Sequence, residues 1–314
     1  MEQLIINQSL IKKFFYKGVV REYCPYCIYC ENIVKTHNRQ TEPMAEGSYF
    51  ETLCLGSGVR GQITNDLSRK KLTSKQILAG QKIGDKKINQ IRLENQHLNF
   101  ERLCGTYQIN VQKEVNTQVR IIKVWKNNSY PNHVIYIEGE LDIFPTTILL
   151  PSRGLRLAVI DLKATGKFDT FGEYCWADPE NLDKTQGWMY NELIRDIDIE
   201  LNLKMYPDSK LKYLYTGPIK QQLDATEPLF FFWVFNYKEE LKNKIIEVLY
   251  DDKAKEELHE SIRKTVEEIL KNQRKGWTNV NPTFDNCKMC AVTECKNKIA
   301  FKPVEEEHQS FQTI

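Results

Sequence analysis

Hydrophobic and polar positions alternate most clearly in the middle of the chain. Gln118 to Trp125 and His133 to Phe144 carry the period of two that a half-buried strand requires, and Asn127-Asn128-Ser129 supplies turn chemistry between them. Leu155 to Lys163 predicts a third strand, and Leu211 to Tyr215 and Leu229 to Phe235 predict two more. Helical spacing dominates elsewhere. A short helix is expected over about 8–20. Gly47 and Ser48 can open another, with Ser48 as N-cap and Glu51 three residues on, the capping-box spacing. Ile77, Ile83, Ile88, Ile91 and Leu98 form a stripe within 74–104. The stretch 183–201 has no proline and only Gly187 as glycine, with Leu193 and Ile197 extending its apolar face. From Lys238 to about Gln273 the apolar residues Leu241, Ile245, Val248, Leu258, Ile262, Val266 and Ile269 predict helix, broken at Asp251-Asp252. This order supports an α/β fold: a mixed central sheet flanked by helices. We expect a single domain over 1–314, with a helical insertion near 60–110.

Composition narrows the picture. Of 314 residues, 41% are hydrophobic, enough for a sizeable core. Charged residues make up 27%, but the formal net charge is only +2, so no basic coat is present. A nucleic-acid surface would need local patches: Arg69-Lys70-Lys71, Lys82, Lys86-Lys87, or Arg120 with Lys123 and Lys126. Each such patch alone reads as a solvated face. The longest apolar run, Leu229 to Phe235, is far short of a membrane span. Met1 to Leu10 has neither a basic start nor an apolar stretch of signal-peptide type, so a cytoplasmic, reducing setting without disulfides is expected. Residues 303–314 read as a frayed tail.

The candidate chemistry lies on two of the predicted strands. Gly139-Glu140-Leu141-Asp142 brings an acid into the second strand, and Asp161-Leu162-Lys163 brings an acid and an amine into the third. Strand side chains alternate, so Asp161 and Lys163 share a face while Ile160 and Leu162 enter the core. If the strands pair, Asp142 can sit beside Asp161. Two carboxylates on one surface repel unless something compensates them. A hard divalent cation does so with oxygen ligands, leaving room for water and phosphate. On residue types alone, two solvated strand ends remain an alternative.

The acid, the gap and the D-x-K triplet resemble the PD-(D/E)XK nuclease superfamily. Gln186 and Tyr190, four apart on the following helix, resemble the Q-x-x-x-Y motif of its RecB-type members. Phe50-Glu51 after a glycine-containing turn resembles the early helix that carries a further metal ligand there, with Glu46 as the fallback. The resemblance implies a restriction-endonuclease-like core and a metal-dependent deoxyribonuclease, an exonuclease in function, of the recombination and repair class. Glu51, Asp142, Asp161 and the Leu162 carbonyl would hold Mg²⁺ or Mn²⁺. Lys163 would position or activate water or neutralise developing charge on the phosphorane, Gln186 would orient groups near the metal or contact DNA, and Tyr190 would contact the DNA backbone. Products would bear 5′-phosphate and 3′-hydroxyl ends. Single-stranded or end-bearing duplex DNA, with a helicase or recombination partner, completes the expectation. A compact, Lys- and Asn-rich nuclease of this size suits a phage or mobile element.

Nine cysteines add a second centre. Cys24, Cys27 and Cys30 cluster near one end and Cys287, Cys290 and Cys295 near the other, while Cys54, Cys104 and Cys175 stand alone as small core residues. Thiolates three apart in a tight turn can converge on one metal. The layout resembles the iron–sulfur subgroup that includes CRISPR adaptation nucleases, with one leading and three trailing cysteines around a [4Fe–4S] cluster. That resemblance nominates Cys24, in Cys24-Pro25, with Cys287, Cys290 and Cys295. Three leading cysteines depart from the pattern and leave a Cys₄ zinc site open, formed by Cys24, Cys27, Cys287 and Cys290. Either would clasp the regions 24–30 and 287–295. A non-catalytic or zinc-clasped nucleic-acid-binding protein of the same fold is the alternative function.

Overall fold

A computed structural model describes residues 2–16, 19–35, 42–56, 81–169, 176–214, 227–238 and 242–281, with positions 283, 287, 290, 292 and 295 beyond them. Side chains at 16, 42–44, 81–90 and 213 lie outside the description. So do the basic run Arg69 to Lys71, Cys175, Leu241 and the tail 303–314. In chain order the strands are β1 (Glu2–Asn7), β2 (Phe15–Tyr16), β3 (Val19–Val20), β4 (Thr117–Val124), β5 (His133–Leu150), β6 (Gly154–Thr165), β7 (Leu229–Asn236) and β8 (Asn243–Val248). The helices are α1 (Gln8–Phe14), α2 (Pro25–Ile28), α3 (Glu42–Leu55), α4 (Gln81–Thr106), α5 (Thr185–Leu193), α6 (Ile199–Met205), α7 (Leu211–Leu214) and α8 (Asp252–Arg274), and a π-helical turn, Tyr29–Ile33, extends α2.

The central sheet is mixed and runs β1-β5-β6-β7-β8, with β4 on the other edge of β5. β1 pairs parallel with the first half of β5, and β6 pairs parallel with β7. β4 with β5, β5 with β6, and β7 with β8 are antiparallel. The fold class expected from the hydrophobic pattern is the one observed. β7 shows why the pattern works: Phe230, Phe232 and Val234 enter one core and Phe231, Trp233 and Phe235 the other. Such a strand, buried on both faces, reads as a continuous apolar run. The first core takes α1, α5 and α8, through Leu10, Leu193 and Ile262 among others. The second takes α3 and α4, through Phe50, Leu93 and Phe100. Among the described residues no helix is long and apolar enough to cross a membrane.

Several expected elements differ. α1 stops at Phe14, and the chain returns as a short hairpin, Phe15–Tyr16 against Val19–Val20. Ser48 is not an N-cap: α3 begins at Glu42, and Gly47 and Ser48 lie inside it. Pro43 in the first turn is a better start signal. Gly47 costs helix stability but clashes with nothing. The helix expected over 183–201 breaks after Leu193, because Asp196 takes a φ of 50° and Asp198 caps a second helix by accepting the Leu201 N–H at 2.9 Å. Leu211–Leu214 is a helical turn rather than a strand, with the Ser209 hydroxyl accepting the Leu211 N–H. Among the described residues, the helix expected from Lys238 begins at Asp252. Asn243–Val248 instead covers the edge of β7, since pairing satisfies a backbone that helical spacing alone would leave beside an open edge. The break at Asp251 is real, and its carboxylate caps α8 by accepting the Ala254 N–H. β1 was not anticipated, although Leu4 and Ile6 alternate as a strand should.

Candidate active site and cysteine junction

The register of β5 and β6 brings the acids together. Ile143 pairs with Ile160, and the register then shifts before Thr146. Leu141 and Ile143, two apart, enter different cores, so the alternation slips at Asp142. The Asp142 carboxylate turns to β6, where its Oδ2 accepts the Leu162 N–H at 2.7 Å. On β6 the alternation is strict: Ile160 and Leu162 enter the α3–α4 core, while Asp161 meets α5 on the opposite face. Lys163 ion-pairs with Asp161 Oδ2 and keeps 28% of its side-chain surface exposed. Asp142 and Asp161 are buried, at 5% and 1% exposure.

The electrostatics are those of too much negative charge in too little solvent. Burial pushes the Asp142 carboxyl well above the ordinary range, and the Asp161 and Glu51 carboxylates push it further. Burial disfavours the Lys163 ammonium, but Asp161 and Asp142 outweigh burial and hold its pKa above normal. Glu51 acts on both groups, so α3 delivers a third acid to the neighbourhood. Its helix is anchored close by. Lys113 Nζ donates to the Leu53 carbonyl at 2.9 Å and Thr117 Oγ1 to the Leu55 carbonyl at 3.0 Å, satisfying acceptors that a helix C-terminus leaves open. Gly56, at φ 83°, supplies the left-handed residue that follows the helix.

α5 closes the site from the other side. Gln186 Nε2 donates to Asp161 Oδ1 at 2.9 Å and to the Tyr190 hydroxyl at 3.1 Å. The helix start is held by Asp183, which accepts the Thr185 N–H at 3.0 Å and pairs with Lys12 at 2.9 Å. Its far end is held by Glu192, which accepts from Lys123 and from the Tyr250 hydroxyl, each at 2.9 Å. Burial opposes that carboxylate, but His259, Lys123 and Tyr250 together bring its pKa down to about 2. Two glycines let α5 approach the sheet. A Cβ on Gly187 would lie 2.9 Å from Val248, and one on Gly139 would lie 2.7 Å from the Tyr190 ring and 2.8 Å from Leu193. The sequence reading missed the role of Gly139; the signal was a glycine inside an otherwise apolar strand, which marks close approach.

One cysteine from each end region, Cys27 and Cys290, meets the other at a junction. Cys27 Sγ, Glu31 and Cys290 Sγ present ligand atoms all within 4.8 Å of one another. Cys24, the leading cysteine that the iron–sulfur resemblance nominates, accepts the Asn281 N–H at its sulfur, 3.5 Å away. Among the described residues, Cys24, Cys287 and Cys295 join no such three-ligand group. Cys54 is buried in the second core and Cys104 packs against it.

No family model matches the sequence, and no curated protein matches it. A solved structure does: a "putative exonuclease" from Eubacterium rectale is similar over 96% of this chain and 90% of its own, with a TM-score of 0.52 and 14% identity. At that identity the likeness is one of fold.

Proposed function

We propose that the protein is a metal-dependent deoxyribonuclease of the PD-(D/E)XK, RecB-like type, acting as an exonuclease. The observation that carries this reading is the convergence of Asp142, Asp161 and Lys163 at the β5–β6 register shift, with Gln186 bonded to Asp161. The fold shared with a "putative exonuclease" supports it. The donor set fits a hard cation. Three carboxylates and one ammonium leave negative charge that burial makes costly, and oxygen ligands suit Mg²⁺ or Mn²⁺. Glu51, Asp142, Asp161 and the Leu162 carbonyl are the residues we assign to hold it. Such an ion supplies charge opposite a scissile phosphate and acidifies water.

This chain's own residues supply the rest. Asp161 is fixed on both oxygens, one by Gln186 and one by Lys163, so its orientation is set before substrate arrives. The partly exposed Lys163 ammonium can donate to an attacking water or to the non-bridging oxygens of a phosphate as charge develops there. Tyr190, braced over Gly139, is assigned to the DNA backbone. DNA, single-stranded or bearing a duplex end, is the proposed substrate, in the cytoplasm and beside a helicase or recombination partner. A second metal centre belongs at the cysteine junction. A [4Fe–4S] cluster there would need four thiolates, whereas zinc accepts a carboxylate among its four ligands. The test is hydrolysis of labelled linear, circular, single- and double-stranded DNA with Mg²⁺ or Mn²⁺. Cleavage that requires the ion and a free end supports the reading. Intact DNA under all conditions overturns it.

A further inference from the structure

The cysteine junction has a ligand set that the sequence motifs did not suggest. α2 and the π-helical turn place Cys27 and Glu31 four residues apart, so both side chains leave one face. The Cys27 thiol donates to Glu31 Oε1 at 3.2 Å. Cys290, from the other end of the chain, brings its sulfur within 4.8 Å of both. The second carboxylate oxygen, Oε2, pairs with Lys13 Nζ at 2.9 Å. That pairing turns Oε1 toward the two sulfurs, as an outer-shell partner orients a metal ligand. Glu31 is well covered, with 10% of its side chain exposed, and Cys27 is buried. Cys24 makes a different contact, at the Asn281 N–H.

We propose that Cys27, Cys290 and Glu31 hold one divalent ion of the zinc class, with Lys13 orienting Glu31, in place of a four-thiolate cluster. The geometry needs little adjustment. Zinc bonds of about 2.3 Å to sulfur and about 2.1 Å to oxygen, in a tetrahedron, set sulfur and oxygen about 3.6 Å apart. The observed 3.2 Å contact has only to open slightly. Binding replaces the Cys27 S–H···O bond. The two thiols lose their protons to solvent, the carboxylate is already charged, and no electron is transferred. Cys287 lies three residues before Cys290, and its carbonyl accepts the Cys290 N–H at 3.4 Å. This ion and the acid site draw on separate residues, so bound metal at the junction can be measured independently of DNA hydrolysis.

The test uses the full chain, purified anaerobically, with elemental analysis and a chelator competition for zinc. One zinc per chain, no iron and no absorption near 400 nm are expected. Cobalt substitution should give a sulfur-to-cobalt charge-transfer band. Glu31→Ala and Lys13→Met should each weaken zinc retention, Lys13→Met by about 10–100-fold as expected for an outer-shell partner. Cys24→Ser should leave it unchanged. If Glu31→Ala does not fold, Lys13→Met and Glu31→Gln carry the test, because both keep the two thiols. About four irons per chain, no bound metal, zinc retention indifferent to Glu31 and Lys13, or a loss in Cys24→Ser matching that in Cys27→Ser would each overturn the assignment.

Discussion

The acid site and the cysteine junction both crowd groups that repel or deprotonate with difficulty, and they are held in opposite ways. At the acid site the sheet register does the placing. Asp142 and Asp161 are fixed by neighbouring strands, buried, and served by one ammonium. At the junction, ordinary contacts join the two ends. Tyr29 stacks on Trp277 with ring centres 5.7 Å apart, the Tyr23 hydroxyl donates to Glu268, Asn272 donates to Tyr23 at 3.2 Å, and the Tyr26 N–H reaches the Asn279 carbonyl at 3.3 Å. The difference teaches where a metal matters. The acid site is structurally complete and chemically unfinished. The junction is joined by its own contacts, and an ion there adds stability to a connection already made.

The strongest test of that contrast removes Lys163, the ammonium paired with Asp161. Lys163→Met should lower DNA hydrolysis by about 10²–10³-fold, as loss of one donor to developing charge does. Its metal-free form should also be less stable, because Asp161 keeps its burial and loses its partner. Steady-state rates with a melting curve decide this. A variant with near-normal turnover would place the chemistry elsewhere.

Next in size is Gly139→Ala. The added methyl meets the Tyr190 ring, and overpacking of this kind costs about 1–3 kcal/mol. Because Tyr190 and Gln186 share a helix and a hydrogen bond, turnover should fall along with the melting temperature. Equal loss of stability with full turnover would show that Tyr190 only packs. Tyr190→Phe isolates the hydroxyl. A lost hydrogen bond to a charged group, about 1.5–3 kcal/mol, predicts a roughly 10–100-fold drop in turnover with stability nearly kept.

The pattern of what could be read beforehand follows the same contrast. The acid site was legible because strand alternation and chain order place Asp161, Lys163, Gln186 and Tyr190 by local rules. Asp142 follows from the pairing with β6, yet its orientation depends on the alternation slipping between Leu141 and Ile143, which no local rule gives. Glu51 acts on both Asp142 and Lys163, but from a helix that begins at Glu42 rather than at a Ser48 cap. Gly139 inside an apolar strand marks a close approach, but the helix that makes it lies more than 40 residues later, so its partner is invisible locally. At the junction the spacing of cysteines was visible, but Glu31 and Lys13 carry no motif. Ile245 and Val248 fit either the helical or the strand period, and only the open edge of β7 decides for β8.

A smaller effect separates the two regions by pH. Asp142 has a raised pKa in the folded protein, so folding takes up its proton. That contribution is fully present below the ordinary carboxylate value near 4 and is lost as pH rises toward the raised folded value. Glu192, held at about 2, has the opposite sign. Its contribution is present above its ordinary value of 4.5 and is lost as pH falls toward about 2. The melting temperature of the metal-free protein should therefore decline as pH rises from about 5, and Asp142→Asn should flatten that decline. Mn²⁺ should restore stability more at higher pH, because binding displaces the proton. A slope unchanged in Asp142→Asn would assign it to another group. The smallest expected effect on catalysis is at the junction: Cys290→Ser should reduce bound metal and melting temperature while leaving turnover per folded molecule unchanged.

The most direct test of the central claim is Mn²⁺-dependent hydrolysis of end-labelled linear DNA by the wild-type chain and by Asp161→Ala, each shown to be folded by circular dichroism. The account predicts cleavage by the wild type that stops when the ion is chelated, and a loss of about 10³-fold or more in the variant, since Asp161 meets both Gln186 and Lys163. Cleavage by Asp161→Ala at the wild-type rate, or a wild-type chain that leaves DNA intact with Mn²⁺ and with Mg²⁺, would contradict it.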